Sequence, residues 1–209
     1  MPARPPAPAA VPGGRCGRCA FPVERCLCDA IPSLRTPFRF VLLRHASEIP
    51  RLTNSGRWAA AALEGSVVLD HALGAPHPSP ALEALLGDGP GLLLFPSPHP
   101  RPAADVRPCT VVVPDGTWAQ ARRMVQRIGP LRTLPRLALP APAGGLRLRR
   151  PPGAGGMSTL EAIAAALAVL GEPVAGAALT ALHRVAVERA LRLKGLWPPE
   201  RAHHRRPGT

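Results

Sequence analysis

Prolines interrupt this chain so often that its apolar residues fall into short runs, and the order of those runs limits the fold more than any other feature. With 29 prolines and 20 glycines among 209 residues, the chain stops just short of the roughly 25–30% at which low complexity becomes the default reading. The Val-, Leu-, Ile- and Ala-rich runs between them argue for one compact domain instead. A chain of this length can bury about 70% of its unfolded surface, which is enough for a sizeable core. Strand-like runs at residues 38–43, 67–69, 92–95 and 110–113 alternate with helical patterns at 57–63, 80–86 and 117–128. Two further strand-like pieces are expected at 137–139 and 146–149, and helical spacing closes the chain over 159–170 and 174–193. This alternation predicts an α/β fold, a mostly parallel sheet with helices on both faces. Ligands of such sheets gather at the carboxyl ends of the strands, so the segments just after the strands are the ones to inspect.

The formal charge is +13, and all but one of the 26 cationic residues are arginines, Lys194 being the exception. A two-to-one surplus of cations over acids faces a polyanion, and RNA or DNA is the first candidate. A membrane span is not expected, because the longest apolar run, at 162–170, stops at Gly171-Glu172-Pro173. The first residues lack an apolar segment of the secretory kind, so a cytoplasmic location is expected. Residues 1–14 read as a disordered lead, 15–32 as a cysteine module, 33–197 as the α/β domain and 198–209 as a basic tail.

Cys16-x-x-Cys19 and Cys26-x-Cys28 place four thiols within thirteen positions. Four thiolates can surround one tetrahedral Zn²⁺, leaving no open position, so such a site would be structural. The alternatives are disulfides or idle thiols, and a cytoplasmic chain disfavours the first. Arg15, Arg18 and Arg25 each stand next to a ligand and can offset the net −2 of the cluster or touch phosphate. Cys109, far away, reads as a small buried residue.

Four post-strand segments carry polar chemistry. Arg44-His45, Glu48, Arg51 and Asn54 could hold a polar ligand or shuttle a proton, or could amount to a surface ion pair and a helix cap. Leu94-Phe95-Pro96-Ser97 ends a strand on proline and frees its last backbone groups. Asp115-Gly116-Thr117-Trp118, followed by Arg122-Arg123, carries a buried strand into a helix start; Asp115 there is either a functional carboxylate or an N-cap. Ser158-Thr159-x-Glu161 fits a capping box and, beside a Gly-rich loop after Arg147-x-Arg149-Arg150, could also receive an anion.

As an ordered set, these segments resemble the DTW-domain family of tRNA-uridine aminocarboxypropyltransferases. The resemblance runs from the cysteine cluster through Arg44-His45 to Asn54-Ser55 and Phe95-Pro96-Ser97. It continues through Asp115-Gly116-Thr117-Trp118-x-x-Ala121-Arg122-Arg123-Met124 and Leu134-Pro135 to Ser158-Thr159-x-Glu161-Ala162, covering residues 15 to about 170. Two departures are that Ala46 stands where the family usually has proline, and that the Pro-rich loop is long.

The resemblance implies transfer of the 3-amino-3-carboxypropyl group of S-adenosylmethionine to N3 of a tRNA uridine, with release of 5′-methylthioadenosine. It also implies a SPOUT-like α/β fold in which a deep C-terminal knot holds the cofactor. Asp115, Thr117 and Trp118 become the expected catalytic residues. Leu94, Phe95, Pro96, Ser97, Asp115, Gly116, Trp118, Ser158, Thr159 and Glu161 become the expected S-adenosylmethionine site. Arg44, His45, Glu48, Arg51, Asn54, Arg122, Arg123 and Arg149 become the expected tRNA contacts, with zinc on Cys16, Cys19, Cys26 and Cys28. The rival expectations are an S-adenosylmethionine-dependent RNA methyltransferase and a non-catalytic zinc-containing RNA-binding protein.

Overall fold

The computed structural model describes residues 10–11, 14–71, 78–141, 148 and 156–197. Most of the expected lead, the strand-like piece at 146–149 apart from Leu148, Arg149 itself and the basic tail lie outside them.

Two short strands, β1 (Ala10–Val11) and β2 (Arg15–Cys16), form an antiparallel ladder ahead of the cysteine loop. The main sheet contains β3 (Arg39–His45), β4 (Val67–His71), β5 (Gly91–Leu93) and β6 (Thr110–Asp115). All are parallel, in the order β4-β3-β6-β5. Parallel neighbours need crossovers: α1 (Ser55–Ala62) lies between β3 and β4 and α2 (Ser79–Leu86) between β4 and β5, while α3 (Trp118–Arg127), α4 (Gly129–Thr133), α5 (Thr159–Val169) and α6 (Pro173–Leu193) follow β6 and cover the sheet.

Side chains alternate across the central strands, so each strand feeds two cores. Phe40, Leu42, Leu92, Val111 and Val113 pack on one face with α1, α5 and α6. Val41, Leu43, Leu93 and Val112 pack on the other with Leu82, Met124, Val125 and Leu131 from α2, α3 and α4. This is why β3 and β6 read as unbroken apolar runs: both of their faces are covered. Each fully buried Leu, Val or Phe contributes about 1.5–3 kcal/mol relative to exposure. On the first face α5 and α6 approach so closely that a Cβ at Gly176 would lie 2.7 Å from the Ala164 carbonyl oxygen. Among the described residues no helix is long and apolar enough to cross a membrane.

The cysteine loop is built into the first core. Cys16, Cys19, Phe21 and Leu27 are buried in it, and Phe21 packs against Trp58 of α1 with ring centroids 5.8 Å apart.

One expected strand differs. Residues 137–139 form no strand; Leu137 makes an isolated bridge to Arg101, and Arg136 makes another to Leu93. Pro135 and Pro140 bracket the segment and can donate nothing to a ladder, so the contact with β5 is limited to a few bonds such as Leu93 N–H to Pro135 O at 2.8 Å.

Candidate functional site

The four thiols expected to hold metal converge. All four Sγ atoms lie within 4.8 Å of one another, with Cys16–Cys28 at 3.5 Å and Cys19–Cys26 at 3.6 Å. Tetrahedral Zn²⁺ with Zn–S near 2.3 Å sets its sulfurs about 3.8 Å apart, so the donor set fits that ion in type, number and spacing. Burial pushes the Cys19 thiol up to about 11 and drives Cys28 higher still, while its neighbours raise it further. Burial also opposes the Cys16 thiolate, but the backbone N–H groups of Cys19 and Arg18 and the adjoining thiols outweigh it and bring Cys16 down to about 7. A divalent cation would supply the charge that so crowded a set of thiolates needs.

The loop is tied to the domain by donors to its backbone. Trp58 Nε1 donates to Cys19 O at 3.0 Å, and Arg189 donates to Cys26 O at 2.6 Å while clasping Asp29 at 2.6 and 2.8 Å. Arg18 reaches the other way, donating to Ala61 O at 2.7 Å.

A cavity of about 780 Å³ opens at the carboxyl ends of β3, β5 and β6 and is closed on its far side by the start of α5. Asp115, the last residue of β6, stands at its base and is 3% exposed. Asn54 Nδ2 donates to Asp115 Oδ2 at 2.6 Å, and Thr159 Oγ1 donates to Oδ1 at 2.6 Å. Asn54 has a second task, because its Oδ1 accepts from Arg57 N–H at 3.0 Å and so caps α1. Ser55 Oγ in turn accepts from Leu160 N–H at 3.4 Å, joining the first turns of α1 and α5. Gly56 completes the cradle: a Cβ there would sit 2.6–2.7 Å from the Asp115 carboxyl atoms. Burial raises the Asp115 carboxyl above the ordinary carboxylate range; the donors from Asn54 and Thr159 oppose that without reversing it.

Asp115 is therefore not the cap of α3. Thr117 is, accepting from Gln120 N–H at 3.4 Å in a capping box that Gln120 Oε1 completes by accepting Thr117 N–H at 2.8 Å. Phe95 and Trp118 stack at 5.2 Å with 22° between their planes, and the Arg136 guanidinium lies 5.8 Å from the Phe95 centroid while donating to Pro96 O at 3.0 Å. Trp118 remains 38% exposed at the cavity.

All the residues expected to hold a cofactor, Leu94 to Ser97, Asp115, Gly116, Trp118, Ser158, Thr159 and Glu161, line this one cavity. Ser158 caps α5 and Glu161 closes the capping box, its Oε2 accepting from Ser158 N–H at 2.8 Å. Of the expected tRNA contacts among the described residues, only Glu48 and Asn54 reach the cavity. Arg44 pairs with Asp70 at 2.6 and 2.9 Å, and His45 Nδ1 accepts from Ser47 N–H at 3.2 Å. Arg51 donates to Ser47 O at 3.1 Å and lies 3.6 Å from Glu48, which is buried. Arg122 and Arg123 are exposed on α3.

Two participants escape a reading of the sequence. His183 of α6 enters the cavity wall with Nε2 3.3 Å from Ser158 Oγ and 3.9 Å from Glu161 Oε2. Nothing in a long helix at ordinary helical spacing singles it out. Gly56 lacks a motif as well; only its position after the Asn54 cap hints at close packing.

The model of the DTW domain family matches residues 13–191. The chain is 32% identical over 166 residues to the Drosophila melanogaster protein named tRNA-uridine aminocarboxypropyltransferase 2. That alignment covers 75% of this chain and 66% of the relative, so the chain spans just under two thirds of the relative's length. No solved structure matches the chain.

Proposed function

The chain belongs to the DTW domain family, and from that premise we propose that it transfers the 3-amino-3-carboxypropyl group of S-adenosylmethionine to N3 of a uridine in tRNA. The product is acp3U and the leaving group is 5′-methylthioadenosine. The name of the Drosophila relative supports tRNA uridine as acceptor. The observation that carries the reading is the buried carboxylate of Asp115, oriented by Asn54 and Thr159 at the base of a cavity of about 780 Å³. Cavities of roughly 300–1,000 Å³ suit ligands of this size.

In this mechanism an Asp115 oxygen takes the proton from uridine N3, and the N3 electron pair forms a bond to the propyl carbon attached to the sulfonium. The carbon–sulfur bond breaks, and its electrons leave sulfur as the neutral thioether of 5′-methylthioadenosine. A carboxylate raised by burial is a stronger base than an exposed one, which suits proton removal near neutral pH. Alignment of nitrogen, carbon and sulfur supplies much of the remaining acceleration. The apolar walls of the cavity and the Phe95–Trp118 stack offer a surface for adenine or for an extruded uracil. The first turn of α5, with Ser158 and Thr159, offers donors to the amino-acid carboxylate.

The SPOUT-like class belongs to the same reading and is supported by the parallel sheet with its cavity at the strand ends. Zn²⁺ on Cys16, Cys19, Cys26 and Cys28 is structural, because four thiolates fill its coordination and the cluster is tied into the core. The protein works in the cytoplasm, where tRNA and the donor are both available.

The test is incubation of the purified protein with S-adenosylmethionine and with tRNA from cells lacking it, followed by mass analysis of the nucleosides. Acp3U and 5′-methylthioadenosine are the expected products. Asp115→Ala is expected to abolish them while S-adenosylmethionine still binds by calorimetry. A methylated nucleoside with S-adenosylhomocysteine would replace this reading with a methyltransferase, and near-normal acp3U from Asp115→Ala would remove Asp115 from the base role.

A further inference from the structure

We infer that the outward face of α3 and α4 is the surface on which the RNA backbone docks, with Arg122, Arg123, Arg127 and Arg132 as its phosphate contacts. The inference rests on the proposed function in taking tRNA as the polyanion, and it locates the surface that holds it.

Residues 118–133 contain these four arginines and no acidic residue. All four are exposed, and none makes a hydrogen bond or ion pair to another described residue. Of the arginines beside the cysteine loop, Arg25 is exposed and three others are engaged. Arg15 donates to Pro50 O at 3.4 Å, Arg18 to Ala61 O at 2.7 Å and Arg189 to Cys26 O and Asp29 at 2.6 Å. Arg44 and Arg192 are likewise held by Asp70 and Glu188. These cations are structural tethers, whereas the α3–α4 set is uncommitted.

Their orientation follows from what the two helices bury. Ala121, Met124, Val125, Ile128 and Leu131 all enter the second core, so the residues between them turn outward from the same layer. Trp118 and Arg122 are four apart, as are Ala119 and Arg123, and Arg127 is four beyond Arg123; residues at that spacing share a face. Trp118 and Ala119 line the cavity. The basic rows therefore begin at the mouth of the site and run outward. At about 1.5 Å per residue, Arg127 lies about 8 Å along the axis from Arg122, a span that meets successive phosphates rather than one. An RNA lying there would present a nucleotide at Trp118, beside Asp115.

The experiment measures binding of bulk tRNA across a salt series, a readout that needs no transfer chemistry. Each lost phosphate contact lowers the slope of log affinity against log salt by about 0.7–0.9 and weakens binding about five- to eightfold at 0.1 M salt. Arg123→Gln/Arg127→Gln/Arg132→Gln is expected to lower the slope by about 2 and to weaken binding about a hundredfold at 0.1 M. The control, Arg39→Gln/Arg184→Gln/Lys194→Gln, removes the same charge from exposed positions off this face and is expected to change both by far less. Equal losses in the two triples would overturn the assignment in favour of general attraction, and unchanged binding in the first triple would overturn it outright. RNA binding that depends on the α3–α4 set without any acp3U would sink the transfer reading and leave the surface standing. Product formation with undiminished binding in the first triple would do the reverse.

Discussion

Replacing Gly56 by alanine tests the cradle around Asp115 with a single methyl group. In an open helix this exchange adds stability, up to about 1 kcal/mol. Here the new Cβ would stand 2.6 Å from the Asp115 carboxyl carbon, and ordinary contact begins at 3.4 Å, so the pair must separate by 3.4 − 2.6 = 0.8 Å. The carboxylate has little room to yield, being 3% exposed and bonded at 2.6 Å to both Asn54 and Thr159. Moving by 0.8 Å stretches or breaks at least one of those bonds. Overpacking of this kind costs about 1–3 kcal/mol. Set against the helix gain, the net loss is about 0–2 kcal/mol, a fall in Tm of at most about 8 °C for a chain of this size. Catalysis is less forgiving, since misplacing a reacting group by about 1 Å costs about a hundredfold. Gly56→Ala is thus expected to lower acp3U turnover about a hundredfold while the protein stays folded and retains zinc. Steady-state assays with tRNA, paired with thermal melts, read both quantities. Wild-type turnover in a folded Gly56→Ala protein would refute the claim that the site depends on this fit.

Asp115→Asn is expected to abolish transfer yet stabilise the protein at pH 7. The folded state raises the Asp115 carboxyl above 3.8, so the site favours the protonated form, and that contribution to stability is lost as pH rises through the folded value. Asparagine mimics the protonated form, and Thr159 can turn its hydroxyl to accept, so the advantage of the variant should be present at pH 7 and shrink as pH falls; urea titrations at pH 7 and pH 5 that show no such trend would exclude it. The purified protein is expected to carry one zinc per chain by elemental analysis. Cys26→Ser or chelation should lower Tm by several degrees, because Cys16 and Cys19 belong to the first core; a chelated protein with an unchanged melt would show that the metal is dispensable.

The alternation of apolar runs was enough to read the parallel sheet, because strands buried on both faces must be continuously apolar, as β3 and β6 are. The strand-like reading of residues 137–139 failed for a local reason: apolar side chains say nothing about the missing donors of Pro135 and Pro140. The residues of the cavity were legible where chemistry is concentrated in one segment, as in Asp115-Gly116-Thr117-Trp118. Their individual roles were less so. Thr117 and Asp115 stand two apart, and only the backbone path decides that the first caps α3 while the second ends β6. For Arg44 and Arg51 the sequence leaves a ligand and a surface ion pair both open, because their partners Asp70 and Ser47 O are set by the neighbouring strand and turn. His183 and Gly56 act through contacts with distant segments, which a linear pattern does not encode.

The cradle of Asp115 also determines when the protein can first become active. Asn54 and Asp115 are 61 positions apart, Asp115 and Thr159 are 44 apart, and Ser55 meets Leu160 across 105. A chain emerging from the ribosome therefore carries Asp115 well before Thr159 exists to bond it. Closing connections of that length costs entropy that only the assembled cores return. Until the segment beginning α5 has been made and docked, the carboxylate has half its donors and the cavity lacks a wall. Activity should thus arrive late and all at once in synthesis, and the half-made chain should have none.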